Sequence, residues 1–296
     1  IKYRNINSIN KLLLEYKFDT IIISRYLQFF DVFPHYECNK LLLYQHDTHF
    51  LTNGKELKII KENGNYILNN NIHDIDYIIN LTEWHKNNTI SEYECLNKNP
   101  HKIHIINNGI DYNYITDLNN DTNKFINKVN NSFIYTSRPE RGLNKLLELW
   151  KNIKEKLPDA ILNICSYDNI DDKYINNSKN LKDVNFIGKL NKIELYKLMH
   201  QTEYWLYPTS WQETSCITAM EMLACNVICL YYPLAGLNDT INNFGIKVYP
   251  NNEINTLLNL NDNIKNKLRQ DGNNYSKTLT WNNQAKHLLN LINVKK

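Results

Sequence analysis

Short apolar runs alternate along the chain with segments whose apolar residues recur at helical spacing, a pattern typical of βαβ units and parallel sheets. The first part ends in a polar segment at Asn107–Asp111, and Ile1–Phe18 ahead of it is predicted to form one helix. Its predicted strands are Thr20–Ser24, Lys40–Gln45, Tyr77–Leu81 and Ile103–Ile106, with a helix near Glu83–Leu96.

The second part begins at Ser132 and has the more complete alternation. Its clearest helix starts at Leu143, because Leu146, Leu147, Trp150 and Ile153 fall with it on one helical face. The predicted strands are Ser132–Ser137, Ala160–Ser166, Val184–Ile187, Tyr204–Tyr207 and Val227–Leu230, and the predicted helices Leu143–Leu157, Lys192–His200 and Cys216–Ala224.

These patterns predict an α/β protein of two domains, the second of which is a doubly wound sheet. The first domain would span residues 1–115 and the second residues 132–275, with a closing helix at 276–296. Residues 116–131 are polar and lack periodicity, so they are predicted to be a connector.

Composition narrows the class of protein. The chain has 296 residues, of which 42% are hydrophobic and 22% charged, as in ordinary soluble domains. No apolar run is long enough to span a membrane, and the chain does not begin like a signal peptide, which favours the cytoplasm. A net charge of +3, without clustered Lys or Arg, argues against a nucleic-acid partner.

The cysteine, asparagine and histidine residues of the chain give no sign of a disulfide framework or a metal site. The six cysteines contain no CxxC pair, so reduced thiols are expected. About one residue in six is Asn, as in AT-rich genomes such as those of large DNA viruses or protists. The pairs His46/His49 and His101/His104 lack nearby Cys or acidic ligands, so we do not expect a structural zinc site at either pair.

The first candidate for chemistry lies between a predicted strand and the Leu143 helix, in the segment Ser137-Arg138-Pro139-Glu140-Arg141-Gly142. Ligands of open α/β sheets sit beyond the carboxyl ends of the strands. A helix N-terminus carries partial positive charge, so two arginines placed there indicate a bound anion such as phosphate. The alternative is that Glu140 and solvent alone balance their charge.

The second candidate is Pro208–Cys216, which again follows a strand and precedes a helix. No acidic residue stands where a capping box would place one, so the first amides of the helix are expected to be free for a ligand. Glu213 is predicted to project towards the arginines, although it could equally be a solvated loop carboxylate.

Glu221 is the third candidate, because it shares a helical stripe with Ile217, Met220 and Ala224 that should face the sheet. A buried carboxylate costs several kcal/mol without a partner. The partner could be a buried Lys or Arg, or the hydroxyl groups of a ligand.

Together these segments resemble the retaining nucleotide-sugar glycosyltransferases of family 4. The resemblance implies the GT-B fold, which consists of two Rossmann-like, doubly wound domains. Glu213 and Glu221 match the family's E-x7-E signature, and Ser137–Leu143 resembles its phosphate loop. Three further segments resemble family motifs, in order along the chain: Leu43-Tyr44-Gln45-His46-Asp47, Leu81-Thr82-Glu83-Trp84-His85 and Asn108-Gly109-Ile110-Asp111.

The resemblance implies a role for each matching residue. Arg138 and Arg141 would bind the donor diphosphate, assisted by the region of Thr214, Ser215 and Cys216. Glu213 and His46 would act at the sugar as catalytic residues. Donor binding is completed by Glu221 at the ribose and by Gly188 and Lys189 along the base. The partners implied are a UDP- or GDP-linked sugar and an unidentified acceptor, which could be a glycan, a protein or a lipid. The resemblance implies neither a metal nor a cofactor besides this donor.

Two departures from the family pattern favour a second hypothesis. The family's Gly-rich stretch after the catalytic Glu is here Thr214-Ser215-Cys216. The family also begins with a strand and Gly-rich loop that have no counterpart before Thr20, so the N-terminal domain is expected to be reduced or to continue upstream of Ile1. The alternative to an active enzyme is thus a non-catalytic module that binds nucleotide sugars or glycans on a degenerate GT-B fold.

Overall fold

The computed structural model describes residues 6–27, 29–33, 35–52, 55–56, 61–62, 65–66, 74–93, 96, 99–120, 127–166 and 170–293. The chain forms two compact units. The first consists of Ile1–Asn107 with Ala285–Lys296, and the second of Asn108–Gln284.

The first unit contains a parallel sheet of four strands in the order β1-β2-β7-β8. Its strands are β1 (Lys17–Ser24), β2 (Glu37–Tyr44), β7 (Tyr77–Asn80) and β8 (Ile103–Ile105), and its helices α1 (Ile6–Glu15), α2 (Phe29–Val32) and α3 (Glu83–Glu92). Between β2 and β7, Leu51–Thr52 (β3) pairs with Lys55–Glu56 (β4), and Lys61–Glu62 (β5) pairs with Asn65–Tyr66 (β6), both antiparallel.

The core of the first unit lies on both faces of this sheet. Leu41, Leu43 and Ile78 belong to one buried cluster, while Leu42, Ile79 and Ile106 form another. Consecutive leucines of β2 therefore alternate between the two faces, as successive side chains in a strand must.

The second unit is built on a parallel sheet of six strands in the order β11-β10-β9-β12-β13-β14. Its strands are β9 (Val129–Tyr135), β10 (Ile161–Cys165), β11 (Val184–Gly188), β12 (Thr202–Tyr207), β13 (Ile228–Tyr231) and β14 (Ile246–Lys247). Its helices are α4 (Tyr112–Asn120), α5 (Leu143–Lys156), α6 (Asp172–Ser178), α7 (Lys192–Gln201), α8 (Ile217–Ala224), α9 (Gly236–Ile241), α10 (Glu253–Leu258) and α11 (Asp262–Ser276), followed by α12 (Trp281–Asn293), which ends in the first unit.

This strand order places β9, the first strand of the second unit, in the interior of the sheet. The chain moves outwards from β9 through β10 to β11, then returns to pair β12 with the other side of β9 and continues outwards in the opposite direction. It is the doubly wound arrangement predicted from sequence. The reversal between β9 and β12 is the place where such sheets bind ligands.

All nine predicted strands are confirmed, with ends that shift by no more than three residues. Two other predictions differ from the structure. Ile1–Phe18 is not one helix, because α1 ends at Glu15 and the ladder with β2 already begins at Lys17. The predicted connector 116–131 contains the end of α4 and the start of β9.

Candidate functional site

The first two candidate segments meet at the reversal of the second sheet. They follow β9 and β12, which are neighbours in the sheet. Between them lies a pocket of about 220 Å³. Its walls include Ser137, Arg138 and Arg141 from the first segment, Glu213, Ser215 and Cys216 from the second, Trp205 and Tyr207 from β12, and Ile217 and Thr218 from the start of α8.

The first segment is held in place from the strand that precedes it. The Tyr135 hydroxyl of β9 donates to the carbonyl of Arg138 at 2.7 Å, and a 3-10 turn over Pro139–Arg141 leads to Gly142. Gly142 has a φ of 140°, and a Cβ there would lie 3.0 Å from the Pro208 carbonyl. Glycine is therefore required where the two segments cross.

The two arginines have different surroundings. Arg138 is largely exposed, and its nearest acidic group is the exposed Glu140 carboxylate at 4.0 Å. Arg141 is more enclosed. One of its terminal nitrogens donates to both oxygens of Glu213, at 2.9 and 3.2 Å, and its guanidinium lies 5.0 Å from the centre of the Trp211 ring.

Glu213 is thus brought to the arginines, as the sequence predicts. Its Oε1 also accepts from the Tyr207 hydroxyl at 3.1 Å, and its backbone carbonyl accepts from the Gly236 amide at 2.8 Å. Burial raises the pKa of the Glu213 carboxyl, and this effect is opposed by Arg141 and by the Tyr207 hydroxyl. The site therefore holds a buried carboxylate whose charge depends on one arginine.

The start of α8 corrects one prediction. The Cys216 amide is not free, because it donates to the Thr240 side chain at 3.2 Å. This partner comes from α9, so the local sequence could not indicate it. The Ser215 hydroxyl oxygen, in contrast, is buried with no hydrogen-bond partner among the described residues. Burial also raises the pKa of the Cys216 thiol, which keeps it neutral.

Glu221 lies on α8 and is 4% exposed, as its place on the buried stripe predicts. Its Oε1 accepts from the Lys192 ammonium at 2.6 Å and from the Tyr196 hydroxyl at 2.7 Å. The structure therefore supplies a lysine as partner, but one whose side chain is 55% exposed rather than buried.

The remaining predicted donor residues do not line the pocket. Gly188 ends β11 at the outer edge of the sheet, with a φ of 80°, and the exposed Lys189 follows it. The Thr214 carbonyl lies against Gly236, where an added Cβ would approach it to 2.3 Å.

His46 belongs to the first unit and is the second residue after the end of β2. Its ring stacks on Tyr44 with centroids 4.9 Å apart. Burial and the nearby Arg25 lower the pKa of His46, against a smaller opposite effect of Asp47. The imidazole is therefore neutral at pH 7.

Residues that shape these sites and that sequence reasoning missed include Tyr207, Gly236, Lys192 and Tyr196. Tyr207 and Gly236 could have been noticed, because one ends a predicted strand and the other follows one. Lys192 and Tyr196 carried no signal, since they reach Glu221 from a different helix.

Residues 119–278, more than half of the chain, match the family described as Glycosyl transferases group 1. The chain belongs to this family. The matched region contains the pocket and all the predicted donor-binding residues. No curated protein matches the chain significantly by sequence.

Solved structures agree in fold with this member of the group 1 glycosyl transferases. A glycosyltransferase from Rickettsia africae is 14% identical, with a TM-score of 0.68, over 97% of this chain and 79% of that protein. The Anabaena protein Alr3699/HepE, in complex with UDP-glucose, is 14% identical, with a TM-score of 0.65, over 97% of this chain and 81% of that one.

A third structure is that of the pneumococcal O-GlcNAc transferase GtfA in complex with UDP and GlcNAc. It is 16% identical, with a TM-score of 0.64, over 97% of this chain and 59% of its own length. The chain likewise spans only 54% of TarM. At these identities the comparison establishes the fold, which is GT-B.

The described residues contain no group of three or more His, Cys, Asp or Glu side chains that could hold a metal ion. No helix within the described ranges is long and apolar enough to cross a membrane.

Proposed function

We propose that the chain is a retaining glycosyltransferase of family 4 that moves a sugar from a nucleoside-diphosphate donor to an acceptor hydroxyl. The observation that carries this proposal is the meeting of Arg138, Arg141 and Glu213 in one pocket at the sheet reversal. Two guanidiniums beside a helix N-terminus favour a diphosphate. A buried carboxylate next to them suits the hydroxyl groups of the sugar attached to it.

Each group has a distinct part in this proposal. Arg138 and Arg141 bind the diphosphate and stabilise the negative charge that it gains as the bond to the sugar breaks. Glu213 holds the sugar hydroxyls, and His46 acts at the sugar ring. The ribose hydroxyls go to Oε2 of Glu221, because both hydrogen bonds shown for this side chain end on Oε1.

Retention follows if the acceptor attacks from the face that the diphosphate leaves. The bond from the anomeric carbon to the phosphate oxygen breaks, and its electron pair stays on the diphosphate. The acceptor oxygen bonds to the same carbon and passes its proton to a phosphate oxygen. The arginines supply the positive charge that this step needs, so we propose that no metal takes part.

A UDP-linked sugar is the first donor to test. The Anabaena neighbour was solved with UDP-glucose and the pneumococcal one with UDP and GlcNAc. GDP- and ADP-linked sugars follow, because a diphosphate and ribose site does not select the base. The acceptor could be a glycan, a protein or a lipid.

The test is a thermal-shift and hydrolysis screen with UDP, GDP, ADP and their common sugar conjugates. A ligand that binds only the folded state raises the melting temperature. We expect one nucleotide to do so, Arg138→Ala to abolish the shift, and Glu213→Ala to abolish hydrolysis and transfer. Lys267→Ala and Glu148→Ala remove exposed charges on α11 and α5. These two variants should keep the melting-temperature shift, hydrolysis and transfer of the wild type.

Two other outcomes would decide against the proposal. If no nucleotide shifts the melting temperature, the donor site is absent and only the fold is shared with active members of the family. If one nucleotide sugar binds but is neither hydrolysed nor transferred, the chain is a non-catalytic binding module.

A further inference from the structure

The loop that carries His46 is fastened to helix α3 at several points. The carbonyl of Asp47 lies 2.9 Å from the ring Nε2 of His85. The carbonyl of Thr48 accepts from the Asn88 side chain at 2.9 Å, and the amide of Phe50 donates to the Tyr93 hydroxyl at 2.9 Å. Side chains of α3, or of the residue that follows it, thus hold three consecutive parts of the loop.

The hydrogen bonds of His85 define its tautomer. The Leu81 amide donates to Nδ1 at 3.2 Å, so this nitrogen must carry a lone pair. The proton is therefore on Nε2, which donates to the Asp47 carbonyl. Burial agrees with a neutral ring, because it lowers the pKa of His85 to about 4.

The Asp47 carbonyl also accepts a hydrogen bond from a side chain of the same loop. The Gln45 side-chain amide donates to this carbonyl at 2.8 Å and to the His49 carbonyl at 2.7 Å. Gln45 is 1% exposed. His46 lies between Gln45 and Asp47, so two buried donors fix the backbone on its C-terminal side.

We propose that His85 is a positioning residue for His46, acting through the Asp47 carbonyl. The inference rests on the role of His46 in the proposed function. A side chain that must meet a sugar carbon needs a fixed backbone, since a displacement of about 1 Å can cost about 100-fold in rate. The link from α3 provides this fixation without a contact between His85 and the substrate.

A pair of matched substitutions separates positioning from simple packing. In His85→Asn, Oδ1 can still accept from the Leu81 amide, but the link to Asp47 is lost. In His85→Gln, Nε2 can still donate to Asp47, while the acceptor for Leu81 is lost. We expect His85→Asn to lower kcat about 10- to 100-fold with UDP affinity unchanged, and His85→Gln to stay near the wild type.

A double-mutant cycle tests whether the effect passes through His46. In a His46→Ala background, His85→Asn should cause no further loss of kcat. Equal losses in His85→Asn and His85→Gln, or a full further loss in the His46→Ala background, would overturn the proposal. If His85→Asn does not fold, Asn88→Ala removes the neighbouring link to Thr48 and should lower kcat in the same way.

A readout that does not depend on turnover keeps this inference distinct from the proposed function. The pKa of His46 can be measured by NMR of its ring protons. We expect it to rise towards its ordinary value in His85→Asn, because the freed loop exposes the ring, and to stay low in His85→Gln. An unchanged His46 pKa in both variants would refute the link, even if the wild type transfers no sugar.

Discussion

Arg141 and Glu213 satisfy each other, and this pairing bears on how a donor would bind. One guanidinium nitrogen contacts both carboxylate oxygens, and both side chains are largely enclosed. A diphosphate that approaches Arg141 must share or displace Glu213. Displacement would turn the carboxylate towards the sugar hydroxyls, so donor binding and the placing of Glu213 would be coupled. Arg138 is exposed and needs no such exchange.

Glu213→Gln tests this competition at the scale of single residues. The amide keeps the shape but removes the negative charge, so UDP should bind about tenfold more tightly, which is about 1.4 kcal/mol. Transfer should fall, because a neutral amide holds the sugar hydroxyls less well. Isothermal titration with UDP measures the affinity, and Glu148→Gln, an exposed carboxylate on α5, serves as the control. Weaker UDP binding in Glu213→Gln would show that Glu213 supports the nucleotide rather than competing with it.

At the scale of elements, the structure shows which signals a sequence contains. Helix α5 was predictable because Leu143, Leu146, Leu147, Trp150 and Ile153 lie on one face, and all of them are buried. Helix α4 was missed because its sequence is mostly polar, although one of its residues is fully buried. Ile115 of that helix is fully buried, and its carbonyl lies 2.9 Å from the ring of His200 on α7.

The same distinction applies to the candidate site. The meeting of Arg141 and Glu213 followed from sequence, because both lie beyond the ends of predicted strands and such ends share one edge of a parallel sheet. The hydrogen bond from the Cys216 amide to the Thr240 side chain could not be predicted in this way, since it joins residues of distant segments. Local patterns predicted where the site lies, whereas contacts between helices decided which groups remain available.

Gly236 shows how one element positions another. It begins α9, and a Cβ there would lie 2.3 Å from the Thr214 carbonyl and 2.7 Å from that of Glu213. Gly236→Ala should displace this segment, lower the free energy of unfolding by about 1–3 kcal/mol and reduce transfer. Urea unfolding and donor hydrolysis measure the two effects.

Gly272→Ala on α11 is the matched control for Gly236→Ala. Its added Cβ would make one close approach, of 2.8 Å to the end of the Leu223 side chain, whereas at Gly236 the close approaches are to backbone carbonyls. Alanine also favours a helix over glycine. Equal losses of stability in the two variants would show that the close approach to Glu213 has no special cost.

Helix α3 gives the first unit a predictable response to acid. The pKa of His85 is about 4 in the folded chain, below its ordinary value of 6.5. Between these values only the unfolded chain takes up the proton, so stability is lost as the pH falls from 6.5 to 4. At pH 5 the loss relative to pH 7 should be about 2 kcal/mol from this residue.

His85→Gln isolates that contribution from those of the other histidines. Glutamine does not titrate, so the variant should lose about 2 kcal/mol less than the wild type when urea unfolding at pH 5 is compared with that at pH 7. An identical decline in both proteins would mean that His85 takes up its proton in the folded chain as readily as in the unfolded one.

At the scale of the whole molecule, the proposed site residues are distributed over the two units. The second unit contains the pocket and the whole of the region matched by the family. The first unit contains His46 and also includes residues Ala285–Lys296. Leu288, Leu291 and Ile292 of α12 pack against the cluster of Leu42, Ile79 and Ile106 on one face of the first sheet.

This closing contact predicts that the two units can be weakened separately. Replacing Leu288 and Leu291 with Ala removes apolar contacts from one face of the first sheet only. Amide exchange should then accelerate in β2, β7 and β8, with a loss of opening free energy of about 2 kcal/mol for two half-buried leucines. Strands β9 to β13 should keep their protection, and UDP should bind with unchanged affinity.

Hydrogen exchange read by mass spectrometry checks this prediction strand by strand. Leu289→Ala is the matched control, because Leu289 lies on the same helix and is 54% exposed. It should change no strand. If the double variant loses protection equally in both sheets, the units unfold as one cooperative body. In that case helix α12 stabilises the pocket of the second unit as much as the loop of His46, because no sheet could open while the other stayed closed.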